Sequence, residues 1–202
     1  KMIFIRIKSF KNTKNFRLLK NFLHLLFNRI FIIFSNNKNI NLINFVTENA
    51  NWSIKWDGLY LKDYLNNYLN KKTINLTSIP YITSKKSVIH FGSQYMWVDW
   101  WNLLPKKNKY IVSFFHGKHE DGLSTRIHIE EFIKTQNSIH KIVTGSSLVL
   151  GRLKSWGIPE KKLICIPIGV DTKLFTIPTY QKKEIIRETL GFKKHEIVIG
   201  SF

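Results

Sequence analysis

Three observations predict an α/β fold built on a Rossmann-like, doubly wound parallel sheet. Six short apolar, β-branched runs follow one another: Ile40–Val46, Ile74–Ile79, Val88–Phe91, Tyr110–Phe115, Lys141–Thr144 and Leu163–Ile168. Helix-length segments separate several of them, namely Asp57–Leu69, Thr125–Asn137 and Ser146–Trp156. Strands joined through helices read as parallel βαβ units. The runs are also continuously apolar rather than alternating, which is the pattern of strands covered on both faces.

Residues 1–38 precede this pattern as a basic, helical extension. From Asn15 to Phe34, the residues Phe16, Leu19, Phe22, Leu23, Leu26, Ile30 and Phe34 recur at helical spacing. A membrane span needs about 20 predominantly apolar residues; Lys20, His24, Asn28 and Arg29 interrupt this run. A secretory leader would need a small-residue cleavage site, and Ser35-Asn36-Asn37-Lys38 offers a poor one. Two readings remain. Residues 14–34 lie on an anionic lipid surface, or they form an amphipathic helix packed on the domain or a poorly ordered leader.

Residues 39–176 then form the α/β domain. Ser146 or Ser147 is placed to cap the helix after the fifth strand, its hydroxyl accepting from an otherwise free N–H. Gly157 ends that helix and Pro159 stops its continuation. Thr176-Ile177-Pro178-Thr179 reads as a linker, followed by a short helix over Gln181–Leu190. His195 to Phe202 reads as the first strand of another βα unit, so residues 177–202 are expected to open a second domain, truncated here.

The 202 residues include 44% hydrophobic and 14% aromatic side chains, which excludes a disordered basic tail and allows a real core. The formal net charge is +19. High basicity ordinarily points to nucleic acid or anionic membrane. Here 28 Ile, 26 Lys and 18 Asn stand against one alanine, Ala50, as an AT-rich gene would produce without selection for an anionic partner. The charge is unevenly placed: residues 1–40 carry nine Lys/Arg and no acidic residue. No nucleic-acid motif is present, and no specific nucleic acid is expected. Basic pairs such as Lys71-Lys72 and Lys106-Lys107 fall in expected loops and read as solvated turn charge. Cys165 is alone, so no intrachain disulfide or multi-cysteine metal site can form. It fits a reducing, cytoplasmic setting, and its apolar neighbours suggest a buried thiol.

The segment from Thr144 to Phe175 carries the most specific pattern. It runs Thr144-Gly145-Ser146-Ser147, a helix, Gly157-Ile158-Pro159-Glu160-Lys161-Lys162, a strand, then Pro167-Ile168-Gly169-Val170-Asp171 and Phe175. In order and spacing these elements resemble the family-4 glycosyltransferases of the GT-B fold, with Ile168 where that family commonly has asparagine. Upstream, Tyr110 to Gly117 is similar to the family's strand ending in a cleft-facing histidine. Downstream, Leu190-Gly191-Phe192 and Ile197–Phe202 resemble the opening of its donor-binding domain. The likeness covers about residues 40–202 and leaves residues 1–38 unexplained.

That resemblance implies the acceptor-side domain of a retaining glycosyltransferase, with a nucleotide-sugar as co-substrate, no bound cofactor and no catalytic metal. It implies His116 as the catalytic residue toward the acceptor hydroxyl. Gly145, Ser146, Ser147, Gly169 and Asp171 then lie near the donor phosphates. Trp52, Asp57, Gly58, Tyr95, Gly117 and Glu120 are the candidate acceptor contacts, for a glycan, a lipid-linked or a small-molecule acceptor. Strand-end placement supports His116-Gly117 and Gly145-Ser146 independently, because ligands of open α/β sheets bind beyond the carboxyl ends of the strands and the N-terminus of the Ser146 helix presents free N–H groups to an anion.

Three details stay open. Many family members have a Gly-Gly turn after the first strand, where this chain has Asp57-Gly58, so phosphate approach there is in question. Trp52, Trp56, Tyr95, Trp97, Trp100 and Trp101 either stack on a ligand or fill the core. Lys118-His119-Glu120-Asp121-Gly122 has no common metal-ligand spacing and reads as a polar loop at the cleft edge. Two other function classes compete: a non-catalytic basic module binding anionic lipid or nucleic acid, and a GT-B relative such as a nucleotide-sugar epimerase. The expected location is cytoplasmic, or peripheral on the inner face of the membrane.

Overall fold

The computed structural model describes residues 19–23, 26, 43–68, 74–80, 87–172 and 176–199. The chain divides into two compact units, Lys1–Pro167 and Ile168–Phe202. The first is an α/β unit with six strands: β1 (Ile43–Val46), β2 (Ile74–Thr77), β3 (Val88–Phe91), β4 (Lys109–Ser113), β5 (Lys141–Thr144) and β6 (Leu163–Cys165). All six expected strands form. They make one sheet in the order β2-β1-β3-β4-β5-β6, with every pairing parallel. Helices α1 (Ser53–Tyr68), α2 (Gln94–Trp100), α3 (Leu123–Thr135) and α4 (Ser147–Ser155) connect successive strands and flank the sheet. The fold is the Rossmann-like α/β architecture anticipated from the strand and helix pattern.

Alternation along the strands sets the two sheet faces. Val46, Ile89, Phe91, Val112 and Ile142 are fully buried, in one cluster with Trp97 of α2, Ile129 and Phe132 of α3, and Val149 and Leu153 of α4. Their neighbours Val88, His90, Ile111, Val143 and Ile164 are only half-buried. Both faces are covered, as expected: fully under α2, α3 and α4, and in part on the other, where Phe45 and Ser113 are buried.

Helix α1 packs on that second face through a glycine. A Cβ on Gly58 would stand 2.7 Å from Leu76 Cδ1 and 2.9 Å from the Phe45 ring. Gly58 is thus a close-approach position inside a helix and not part of a turn. The loop after β1 ends at Trp52, so α1 starts four residues before the expected Asp57 and takes in Trp56 together with Asp57 and Gly58. Gly58→Val is expected to destabilise the domain by about 1–3 kcal/mol through overpacking, read as a lower denaturant midpoint. An unchanged midpoint would mean that Phe45 and Leu76 yield freely.

Helix α2 was not expected from the sequence; its Trp and Tyr residues read only as an aromatic group beyond a strand. Ser93 caps it by accepting from the Tyr95 N–H. Trp97 and Trp100 are buried in the core, whereas Trp52 and Trp56 are exposed. Cys165 is exposed as well, which corrects the expectation of a buried thiol: among the described residues β6 is an edge strand, paired only with β5.

The N-terminal extension lies largely outside the described residues. Within it, Leu19–Leu23 and Leu26 are helical, and the Asn21 side-chain amide donates to the Asp99 carbonyl of α2 at 3.0 Å. Among the described residues no helix is long and apolar enough to cross a membrane.

Among its described residues the second unit holds one helix, α5 (Tyr180–Thr189), capped by Thr179, which accepts from the Lys182 N–H. Its C-terminus closes with Phe192 N–H to Arg187 C=O and Gly191 N–H to Glu188 C=O, the paired bonds that satisfy a helix's last carbonyls. The expected strand over His195–Phe202 does not form in its described part, residues 195–199. A strand needs a ladder partner for its N–H and C=O groups; here the Arg187 guanidinium binds the Glu196 carbonyl at 2.6 Å instead.

Candidate functional site

Strand direction reverses its progress across the sheet between β1 and β3: β2 lies to one side of β1, and β3 to β6 extend on the other. In open parallel sheets such a switch point leaves a crevice at the carboxyl edge. Gly92 N–H donates to the Val46 carbonyl at 2.8 Å, continuing the β1–β3 ladder to the lip of that edge. A Cβ on Gly92 would meet Ile54 and Phe45 at 2.7 and 2.9 Å, so the first turn of α1 lies directly against the switch point.

The loop after β4 carries His116, whose side chain is exposed. Its backbone is fixed from two sides. The buried Gln94 amide donates to the His116 carbonyl at 3.0 Å, and the Arg152 guanidinium of α4 donates to the Gly117 carbonyl at 3.1 Å. Gly117 has φ 109°, a left-handed conformation that a Cβ would strain. The imidazole therefore stands on a backbone held by α2 and α4 and remains free to meet a solute.

Beside it, the Tyr95 ring stacks on His128 with centroids 4.1 Å apart and lies 5.8 Å from the His116 ring. Burial lowers the His128 pKa to about 4, against a smaller opposing effect of Glu131. His128 is thus neutral at neutral pH. Its Nε2 is buried without a hydrogen-bond partner among the described residues. On the other face of the sheet, in β3, His90 is hydrogen-bonded to Ser113 Oγ at 2.9 Å and faces Phe45 edge-on at 4.7 Å; burial lowers its pKa to about 4.

The turn after β5 completes this edge. Ser146 caps α4, accepting from the Leu148 N–H at 3.2 Å, while the Ser146 N–H meets Thr144 Oγ1 at 3.4 Å. Of the two serines considered, Ser146 is the cap; Ser147 is the exposed first residue of the helix. Gly145 is half-buried between them and the strand. The loop from Lys118 to Gly122 is internally bonded: the Asp121 carboxylate accepts from the Lys118 N–H at 2.8 Å. Glu120 is exposed, and the His119 ring rests edge-on against Trp156 at 4.8 Å. Among the described residues no group of three or more His, Cys, Asp or Glu gathers as a metal site.

The structure thus brings Tyr95, His116, Gly117, Gly145, Ser146 and Ser147 to the carboxyl ends of β3, β4 and β5. Asp57 and Gly58 are carried down α1, away from the loops. Gly169 and Asp171 are exposed residues of the second unit, and Phe175 lies outside the described residues. Sequence reasoning missed Gln94, His128 and Arg152. One signal for Gln94 was present: Gly92-Ser93 repeats the Gly145-Ser146 strand-to-cap pattern and so announces a helix at once. No family model, curated protein or solved structure matches the chain.

Proposed function

We propose that this chain is the acceptor-side domain of a glycosyltransferase that moves a sugar from a nucleotide-sugar to an acceptor hydroxyl. The observation that carries the reading is the delivery, by two paired neighbouring strands, of His116-Gly117 and the capped Gly145-Ser146-Ser147 turn to one sheet edge. In the reaction the acceptor oxygen bonds to the anomeric carbon, the bond from that carbon to the nucleoside diphosphate breaks, and the acceptor proton leaves. His116 is exposed and anchored through its backbone, so its ring can hydrogen-bond the acceptor hydroxyl and take that proton. The free N–H groups at the start of α4 suit donor phosphate. Tyr95 and the neutral His128 form the wall beside His116. The retaining outcome, the nucleotide contacts and the roles of Gly169 and Asp171 rest on the family resemblance. The lone cysteine supports a reducing, cytoplasmic setting, and the nine basic residues of positions 1–40 support contact of residues 14–34 with anionic lipid on the inner membrane face.

Saturation-transfer NMR and calorimetry with mono- and disaccharides test the reading. Saccharide binding is expected, weakened about tenfold, or about 1.4 kcal/mol, by His116→Ala. The Gln94 bond goes to the backbone carbonyl and survives that substitution. The 202 residues alone are expected to transfer no sugar from a nucleotide-sugar; transfer by them would overturn the two-lobe assignment. No saccharide binding, together with oligonucleotide binding that falls steeply with salt, would replace the reading with the basic binding module.

A further inference from the structure

Helix α1 carries an aromatic ridge that the site at the sheet edge does not use. Trp52, just before the helix, and Trp56, Tyr60, Tyr64 and Tyr68 within it recur at every fourth residue. They are exposed by 59, 53, 61, 66 and 73%. Residues four apart form one of the helix's surface ridges, and sixteen residues of rise make this one about 24 Å long. The rings are arranged along it: Trp56 and Tyr60 lie 6.5 Å apart, and Tyr64 and Tyr68 are nearly parallel at 5.8 Å. The inward side of the helix is made by other residues, Ile54, Gly58, Leu61 and Leu65, all buried or half-buried. The aromatics are therefore surplus to the packing of α1 on the sheet.

Charge selects the occupant. Helix α1 contains Lys55 and Lys62 against Asp57 and Asp63, so the ridge stands on a formally neutral element of a +19 chain. A single-stranded nucleic acid is held where aromatic stacking combines with a positive groove, and an anionic membrane where basic side chains flank the apolar face. A second copy would set +19 against +19. A sugar chain is neutral, and each ring offers a C–H face to an aromatic plane and hydroxyls to a polar rim. Tyr and Trp present that combination of apolar face and polar tip, with the exposed Asn51 and Asn67 alongside. The ridge also begins at the switch point, since α1 leaves the carboxyl end of β1 and runs back toward the start of β2.

We infer that the ridge is a binding track for a neutral oligosaccharide, along which an extended glycan is led to the sheet edge. The identification of that glycan as the acceptor rests on the transferase reading; the binding itself does not.

The test uses the full 202-residue chain with cellohexaose, maltohexaose, chitohexaose and mannohexaose, each against its disaccharide, by calorimetry and tryptophan fluorescence. At least one hexaose is expected to bind tenfold or more tightly than its disaccharide. Tyr60→Ala with Tyr64→Ala should erase that difference at an unchanged thermal midpoint, and Tyr60→Phe with Tyr64→Phe should keep it. Equal binding by the parent and the double alanine variant overturns the track, as does failure of all four hexaoses. Loss of vesicle binding or of self-association in place of glycan binding overturns it too. The His116→Ala variant separates the two readings. Length-dependent binding without any effect of His116 leaves the track and removes the transferase site, whereas His116-dependent disaccharide binding without length dependence does the reverse.

Discussion

Trp97→Ala is expected to cost the domain about 3–5 kcal/mol, the largest effect of any single substitution proposed here. Trp97 is fully buried. Its ring meets Phe91 edge-on at 5.5 Å and Tyr110 at 5.4 Å, so it joins α2 to the centre of the sheet. Its indole N–H donates to Thr135 Oγ1 at 2.8 Å, and that hydroxyl in turn donates to the Phe132 carbonyl. Truncation therefore opens a cavity and leaves the threonine oxygen without its donor, two penalties in one place. Against a typical total stability of about 5–15 kcal/mol, such a loss removes a fifth or more of the margin. Denaturant titration followed by far-ultraviolet circular dichroism reads it as a lower midpoint at constant slope. A loss below about 1 kcal/mol, under the range for buried aromatics, would mean that the core around α2 is loosely packed.

Acidification supplies the second large effect. His90 and His128 both have pKa values lowered by burial from 6.5 to about 4. An unfolded chain takes up both protons as the pH falls through 6.5, while the folded chain resists until about 4. Stability from neutral burial of these rings is therefore complete above pH 6.5, declines between 6.5 and 4, and has no further to fall from this source below 4. The slope has a ceiling of about 1.4 kcal/mol per pH unit for each histidine. His90→Gln retains a partner for Ser113 and cannot titrate, so it should remove close to half of this slope. A variant as acid-sensitive as the parent across that window would assign the sensitivity elsewhere.

The sheet was legible strand by strand because each run is short, apolar and β-branched, and the sequence is punctuated where strands end. Its order was not, because placing β1 between β2 and β3 depends on which strand a later segment pairs with, a long-range choice that composition does not record. Helix α2 escaped notice because seven residues rich in Trp and Tyr offer little helical propensity; the Ser93 cap and burial of Trp97 and Trp100 hold it. Cys165 was misread because an apolar neighbourhood in sequence does not reveal an edge strand. The candidate site shows the same division. His116 and Gly117 were found from their strand-end position, and Ser146 from its capping chemistry. Gln94, His128 and Arg152 reach the site from helices, and only the folded topology brings them to Tyr95 and to the His116 and Gly117 carbonyls. The ridge of α1 lay open in the sequence as a four-residue period, but only exposure distinguishes it from a core stripe.

The order of the sheet also bears on how the chain assembles during synthesis. After β3 has paired with β1, each later strand pairs only with the one made before it. The sheet can thus lengthen at a single growing edge as residues leave the ribosome, each crossover closing a loop of modest length. The one exception comes early. β3 must bypass the finished β1–β2 pair and attach to the far side of β1, a non-local closure of the kind that slows folding. Until it does, that side of β1 is an open template on the nascent chain. The vulnerable interval in making this protein therefore falls between the emergence of β2 and that of β3.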